Sequence, residues 1–454
     1  MEKVKKKHIS SDGTLYSRFF KMATLGDDSE AHVQAKLITT LKQFKVQDAP
    51  FSLPANTSSK ELNLLLTSLL FGEDNEEGEG QSFIFLVGGE FLRPQTTLKE
   101  FIENNNLSTE SVIEIEYILK EDEPELSQTL QHDDWISAID INSNDLILTS
   151  SFDNTLSIWN LKGECIFNVE GNSMAVKDAC WLDNEHFLSA SQDQTVLIWK
   201  MNEDKKQPPL CINVCRGHAA SVDCLSVSPS KERFVSGSWD KMIKIWESKP
   251  SENGIDVEEA VVKKQKSSND KQQTPSTQTP LVTLSGHKEP VSDVIWKTDD
   301  QLLSVGWDHC IRFWDVNTGL NPQTLTANKV ILTCDFSQDN NLIVTGSVDK
   351  FIRFYDPRTA DGTVLKFTLS SLNGWVSDVM WSSGNQNHVM SGSYDTMVAL
   401  WDIRNSKGAL TDLQRHTDRV MCVNSSKPGY YMSGGADCLV HISNVKNSKQ
   451  LKEE

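Results

Sequence analysis

Nine cysteines are scattered through the 454 residues, and no two of them form a Cys-x-x-Cys pair. That excludes the paired-thiol zinc and redox motifs and points to reduced thiols on core strands, in cytosol or nucleus. Cys211 and Cys215 come nearest to a metal pair, yet no second ligand pair accompanies them. No apolar run approaches the roughly 20 residues that a membrane-spanning helix needs, so no membrane association is expected. The N-terminus has no signal-peptide core. A Walker loop, a G-x-S-x-G elbow and an H-E-x-x-H helix are all missing, so the expectation is no enzyme and no cofactor. Positive charge is also short: 44 Lys and Arg stand against 63 Asp and Glu, a net charge of −19. Attraction of the whole molecule to nucleic acid is therefore not expected, and contact with RNA is secondary, through a local patch or a particle.

What the chain does contain is a repeat. Asp153, Asp193, Asp240, Asp308, Asp349, Asp395 and Asp437 each follow a Ser or Thr by four residues. Six of them precede an aromatic by six residues: Trp159, Trp199, Trp246, Trp314, Tyr355 and Trp401, with Ser443 in the seventh place. The steps between the aspartates are 40, 47, 68, 41, 46 and 42 residues. This is the period of a WD-type propeller blade. Alternating β-formers flank each aspartate, so each unit reads as a hairpin whose turn Asp accepts backbone N–H bonds.

Four units carry a histidine 21 or 22 residues upstream of the aspartate: His132, His218, His287 and His416. In a WD blade such a His, the strand hydroxyl (here Ser236 or Ser304), the turn Asp and the Trp form one hydrogen-bonded network. Units one, three and four carry all four members; units two, five and six lack the His, and unit seven lacks the Trp. A catalytic triad occurs once per site, whereas this set recurs around a ring, so a structural role is preferred to a hydrolase. Seven units close a ring, and residues Glu125–Gln131 are expected to supply the missing fourth strand of blade seven.

The fold class is thus an all-β seven-bladed WD-repeat propeller preceded by a small α+β ubiquitin-like domain. Residues 1–30 read as a disordered basic extension, 31–120 as the ubiquitin-like domain, 121–446 as the propeller and 447–454 as a tail. Residues 247–280, rich in Ser, Lys, Gln, Thr and Pro, form an interruption between blades three and four. In the first domain the order β-β-α-β-α-β is expected, with a capping box at Ser58–Glu61 and an acidic loop at 72–79.

The segments Val46–Phe51, Gly88–Arg93 and Leu107–Glu110, with the junction His132–Ser137, resemble the WD-repeat subunits of the PeBoW complex. The resemblance runs from about Met22 to the end. It implies a nucleolar and nucleoplasmic factor for precursors of the large ribosomal subunit, needed for ribosomal RNA processing. The implied partners are the block-of-proliferation protein, whose propeller packs on this one, pescadillo, and the AAA-type ATPase midasin, which grips the ubiquitin-like domain. It also implies that Glu110 completes the coordination of a Mg²⁺ held by midasin, with Glu90 as rival; hard oxygen donors suit that ion. No metal is expected within the chain itself.

Position suggests a docking rim as well. The residues just before the turn aspartates include Phe152, Trp239, Trp307 and Tyr394, and Trp135 and Trp375 stand before first strands. Exposed aromatics there would anchor a partner, the competing role being packing between blades. The alternative function for such a domain pair is a WD-repeat substrate adaptor of a ubiquitin ligase, although no F-box-like segment is present.

Overall fold

The computed structural model describes residues 32–39, 41, 44–46, 49–71, 82–88, 90–92, 96–105, 112–120, 123–202, 207–248, 275–358, 365–370, 372–405 and 408–445. The basic extension, the acidic loop, Glu110, most of the interruption and the tail lie outside these residues. The chain divides into two compact units between Glu121 and Asp122.

The first unit contains β1 (His32–Ile38), β2 (Phe51–Pro54), α1 (Ser59–Phe71), β3 (Phe83–Val87), β4 (Glu90–Phe91), α2 (Leu98–Asn104) and β5 (Ile113–Leu119). Its sheet order is β2-β1-β5-β3-β4, with β1 and β5 parallel. The two-residue β4 is an addition to the expected order. Glu90 opens that strand opposite Val87, because Gly88 turns the chain at φ 61°. β5 alternates as its sequence does, burying Ile113, Ile115 and Tyr117. α1 begins with the expected capping box: the Ser58 N–H donates to Glu61 at 2.7 Å and the Glu61 N–H to Ser58 Oγ at 3.5 Å. Its buried face is Leu62 and Leu66, one turn apart, while Leu64 is 64 % exposed. The hairpin partner of β1 begins at Phe51. Before it, the Val46 N–H donates to the Tyr117 hydroxyl, which itself donates to the Phe44 carbonyl.

The second unit is seven four-stranded sheets, with a fifth strand added to one. β6 (Glu125–Gln131) pairs with the last strand, Leu439–Asn444, from Gln131↔Leu439 to Glu125↔Asn444. The first strand of the ring therefore closes its last blade. Blade one follows as β7 (Ile136–Ile141), β8 (Leu146–Ser151), β9 (Thr155–Asn160) and β10 (Cys165–Glu170). In every blade the turn Asp accepts the N–H two residues on, from Thr155, Thr195, Met242, Cys310, Phe351, Met397 and Leu439. This Asx turn is why aspartate recurs there. The interruption is shorter than 247–280. Glu247 ends a strand of blade three, and Ser276–Gln278 adds a parallel strand to the outer edge of blade two.

First strands of successive blades pack side by side around the axis. Part-buried aspartates on them join one blade to the next. Asp140 accepts the Trp181 N–H, Asp178 that of Leu225, Asp293 that of Cys334, Asp335 that of Trp381 and Asp378 that of Val423, all within 2.6–2.8 Å. From blade seven, Asn424 Nδ2 donates to the Ile139 carbonyl at 3.1 Å. Burial pushes the carboxyls of Asp140 and Asp378 up to about 6 and those of Asp178 and Asp335 up to about 7; Asp293 is also raised by burial.

Candidate partner-binding faces

In blade three, His218 Nδ1 lies 2.8 Å from Asp240, its Nε2 2.7 Å from Ser236 Oγ, and Trp246 Nε1 donates to the same hydroxyl at 2.8 Å. Blade four repeats this with His287, Asp308, Ser304 and Trp314. In blade seven His416, Asp437 and Ser433 are linked in the same way without an indole. These serines are buried, and those of blades three and four also take an indole N–H, so no substrate reaches a nucleophile there. The structural reading of the triad-like sets follows. Burial raises Asp240 and Asp308, but their histidine and backbone hydrogen bonds outweigh it and hold both carboxyls down at about 2.

Blade one departs from the expected pattern. His132 bonds Thr149 at 3.0 Å and Trp159 donates to the same oxygen, but Asp153 takes the Thr155 hydroxyl at 2.6 Å instead of the imidazole. In blade two, Asn172 accepts from Ser189 where the histidine would stand, and Asp193 holds Ser173 and Thr195. In blade five, Arg353 grips Asp349 through two bonds of 3.0 and 2.6 Å. Blade six keeps Trp401 on Ser391, with Asp395 holding the Asn373 N–H. His416, Asp437 and His441 cluster closely enough to suggest a cation site. Each imidazole nitrogen nevertheless has a hydrogen-bond partner, His441 bonding Thr129 and the Arg415 carbonyl. The cluster is therefore a hydrogen-bonded clasp on the closing strand β6.

The rim aromatics gather at one end of the blades. The N–H groups of Phe152 and Tyr394 donate to the carbonyls of Trp135 and Trp375, and those of Trp239 and Trp307 to Ser221 and Pro290. Three ring pairs result: Trp135 with Phe152, Trp239 with Trp307, and Trp375 stacked on Tyr394 at 5.6 Å. Only the second pair spans two blades. Trp135, Trp239, Trp307 and Trp375 remain 40, 48, 39 and 47 % exposed, which packing between blades does not require. Tyr394 is part-buried beneath its partner. Lys177 stands 4.1 Å over Phe152, and Arg419 5.4 Å from the Tyr394 ring centre.

The NLE (NUC135) domain description matches residues 33–102, and the WD domain, G-beta repeat description matches seven stretches from 124–160 to 408–443. A ribosome biogenesis protein WDR12 homolog of Nematostella vectensis is 41 % identical over 413 residues, covering 89 % of this chain and 97 % of that protein. The chain belongs to the WDR12 family. Homologs of the same name from Culex quinquefasciatus and Drosophila mojavensis are each 39 % identical, covering 92 and 94 % of this chain and 96 and 98 % of theirs. Within this family member, Glu110 lies outside the described residues, and Glu90 sits on β4. The inner-strand aspartates escaped the sequence reading. Their signal was an acid among the apolar residues of a first strand, as in Val291-Ser292-Asp293-Val294. Lys177, over the blade-one Phe152, was missed too, for want of any repeat at that place.

Proposed function

We propose that this chain is a non-enzymatic assembly factor for the large ribosomal subunit, acting in the nucleus and nucleolus on ribosomal RNA processing. The name carried by its relatives, ribosome biogenesis protein, supports the process. The observation that carries the docking role is the row of paired, exposed aromatics at one end of the propeller. Their indoles offer large, rigid anchors around which a partner excludes water. The partner is the propeller of the block-of-proliferation protein, with pescadillo completing the complex. Contact with ribosomal RNA is secondary, given the net charge of −19.

Trp307→Ala and Trp375→Ala are each expected to weaken binding of that propeller about 30-fold by calorimetry. Thermal stability should stay nearly unchanged, since both residues lie at the surface, 39 and 47 % exposed, rather than in the core of a blade. A large loss of stability with unaltered affinity would assign the indoles to packing instead.

The ubiquitin-like domain is the handle for removal. Glu110 donates a carboxylate oxygen to a Mg²⁺ held by the midasin sensor domain, so a pulling ATPase gains a grip on the particle-bound factor. Purified residues 22–122 should bind that domain in Mg²⁺ and lose it in chelator or as Glu110→Ala. Binding that survives both changes would remove Glu110 as the ligand and point to Glu90 or a surface contact.

A further inference from the structure

The strand added to blade two builds a site of its own, apart from the rim aromatics. Ser276–Gln278 runs parallel to Leu210–Arg216, in the register Asn213↔Ser276, Val214↔Thr277 and Cys215↔Gln278. Asn213 is 1 % exposed, and the added strand satisfies its amide. Its Nδ2 donates to Gln278 Oε1 at 3.2 Å and its Oδ1 accepts from Ser276. Gln278 Nε2 then donates to the Glu247 carbonyl at 2.9 Å, and Pro280 lies against Gly217. The segment thus straps blade two to blade three.

One step further along this register sets Thr279 beside Arg216. Both residues are exposed, and Arg216 has no ion-pair partner among the described residues. Thr279 precedes Pro280, which biases it to the extended backbone that kinases read. We propose that Thr279 is the acceptor of a proline-directed protein kinase and that Arg216 receives the resulting phosphate. In that step Thr279 Oγ1 forms a bond to the γ-phosphorus of ATP as the bond to the β-phosphate oxygen breaks. ADP leaves, and the hydroxyl proton passes to the kinase's catalytic aspartate. The phosphothreonine carries a charge of about −1.5 to −2 and meets a guanidinium whose planar fork fits it. Because the neighbouring charge is a cation, modification tightens the strap. It holds the outer edge of blade two closed against an incoming strand.

The test treats the full chain with a proline-directed kinase and ATP. The modified residues are mapped by mass spectrometry, and amide exchange is followed over 210–216 and 276–278. Phosphate on Thr279 with about tenfold slower exchange than in unmodified protein is expected, a difference that one charge-assisted pair supplies. Phosphorylated Arg216→Gln should lose the slowing, and Thr279→Ala should show none. Thr279 left unmodified, or modified with unchanged or faster exchange, overturns the proposal.

Discussion

Leu130→Asp is expected to lower the thermal unfolding midpoint of the full chain by about 8 °C, at about 2 °C per kcal/mol for a domain of this size. Leu130 lies on β6, 1 % exposed, opposite Val440 and packed with Ile136, Trp159, Met432 and Ile442. Placing a carboxylate there removes the apolar contact and buries an unpaired charge, together about 4 kcal/mol. The effect is large because β6 is the fourth strand of blade seven and the bond that closes the ring. Opening it exposes the edge of Leu439–Asn444 and frees the His441–Thr129 clasp. Gln131→Asp, on the exposed side of the same strand, should leave the midpoint within about 1 °C. Equal midpoints for Leu130→Asp and wild type in differential scanning calorimetry would mean that the ring does not depend on this strand.

Asp378→Ala should cost about 3 kcal/mol, because it strands several donors at once. Its carboxylate accepts the Val423 N–H at 2.8 Å, the Val379 N–H at 2.9 Å and the Thr333 hydroxyl at 2.9 Å. Asp378→Asn keeps an acceptor oxygen and is expected to cost about 1 kcal/mol. The same residues give the protein an unusual pH profile. The carboxyls of Asp140, Asp178, Asp335 and Asp378 are raised by burial to about 6 or 7, above their value in an unfolded chain. Folding therefore takes up protons. The stability they confer is fully present below about 4 and is lost as pH rises through 6 to 7. Asp240 and Asp308, held at about 2, act in the opposite sense: their contribution is present above about 4 and lost as pH falls through 2. The unfolding midpoint should rise on acidification from pH 8 to pH 5, and less so in Asp378→Asn. A midpoint that falls steadily over that interval contradicts the assignment.

The blades were legible because their turns leave a chemical mark. An Asx turn followed by a buried indole needs Asp and Trp at a fixed spacing; the Asp recurs in all seven units and the Trp in five, whether or not a blade keeps its histidine. The closing strand was legible by subtraction, since the seventh unit ends near Val445 with three strands. Spacing alone did not show which bonds form. Thr155 offers a competing hydroxyl in blade one, where Met242 and Cys310 offer none in blades three and four, so the 21-residue His–Asp spacing shared by blades one and four gives different networks. The aspartates between blades were hidden for another reason. They occupy two alternative positions of the first strand, third in Asp178, Asp293 and Asp378 but fifth in Asp140 and Asp335. Their partners lie some 40 residues away, in the next blade. The rim was half legible: position placed the aromatics at the turn end, but only exposure separates Trp375 from the covered Tyr394 beneath it.

The most direct measurement is sedimentation of the tagged chain from nuclear extract, with its bound RNA sequenced across the gradient. Comigration with large-subunit precursor particles and their unprocessed ribosomal RNA, reduced in Trp307→Ala with Trp375→Ala, is the expected result. Recovery only in light fractions with ubiquitin-ligase subunits, with ribosomal RNA maturing normally after depletion of the protein, would contradict a role in assembling the large subunit.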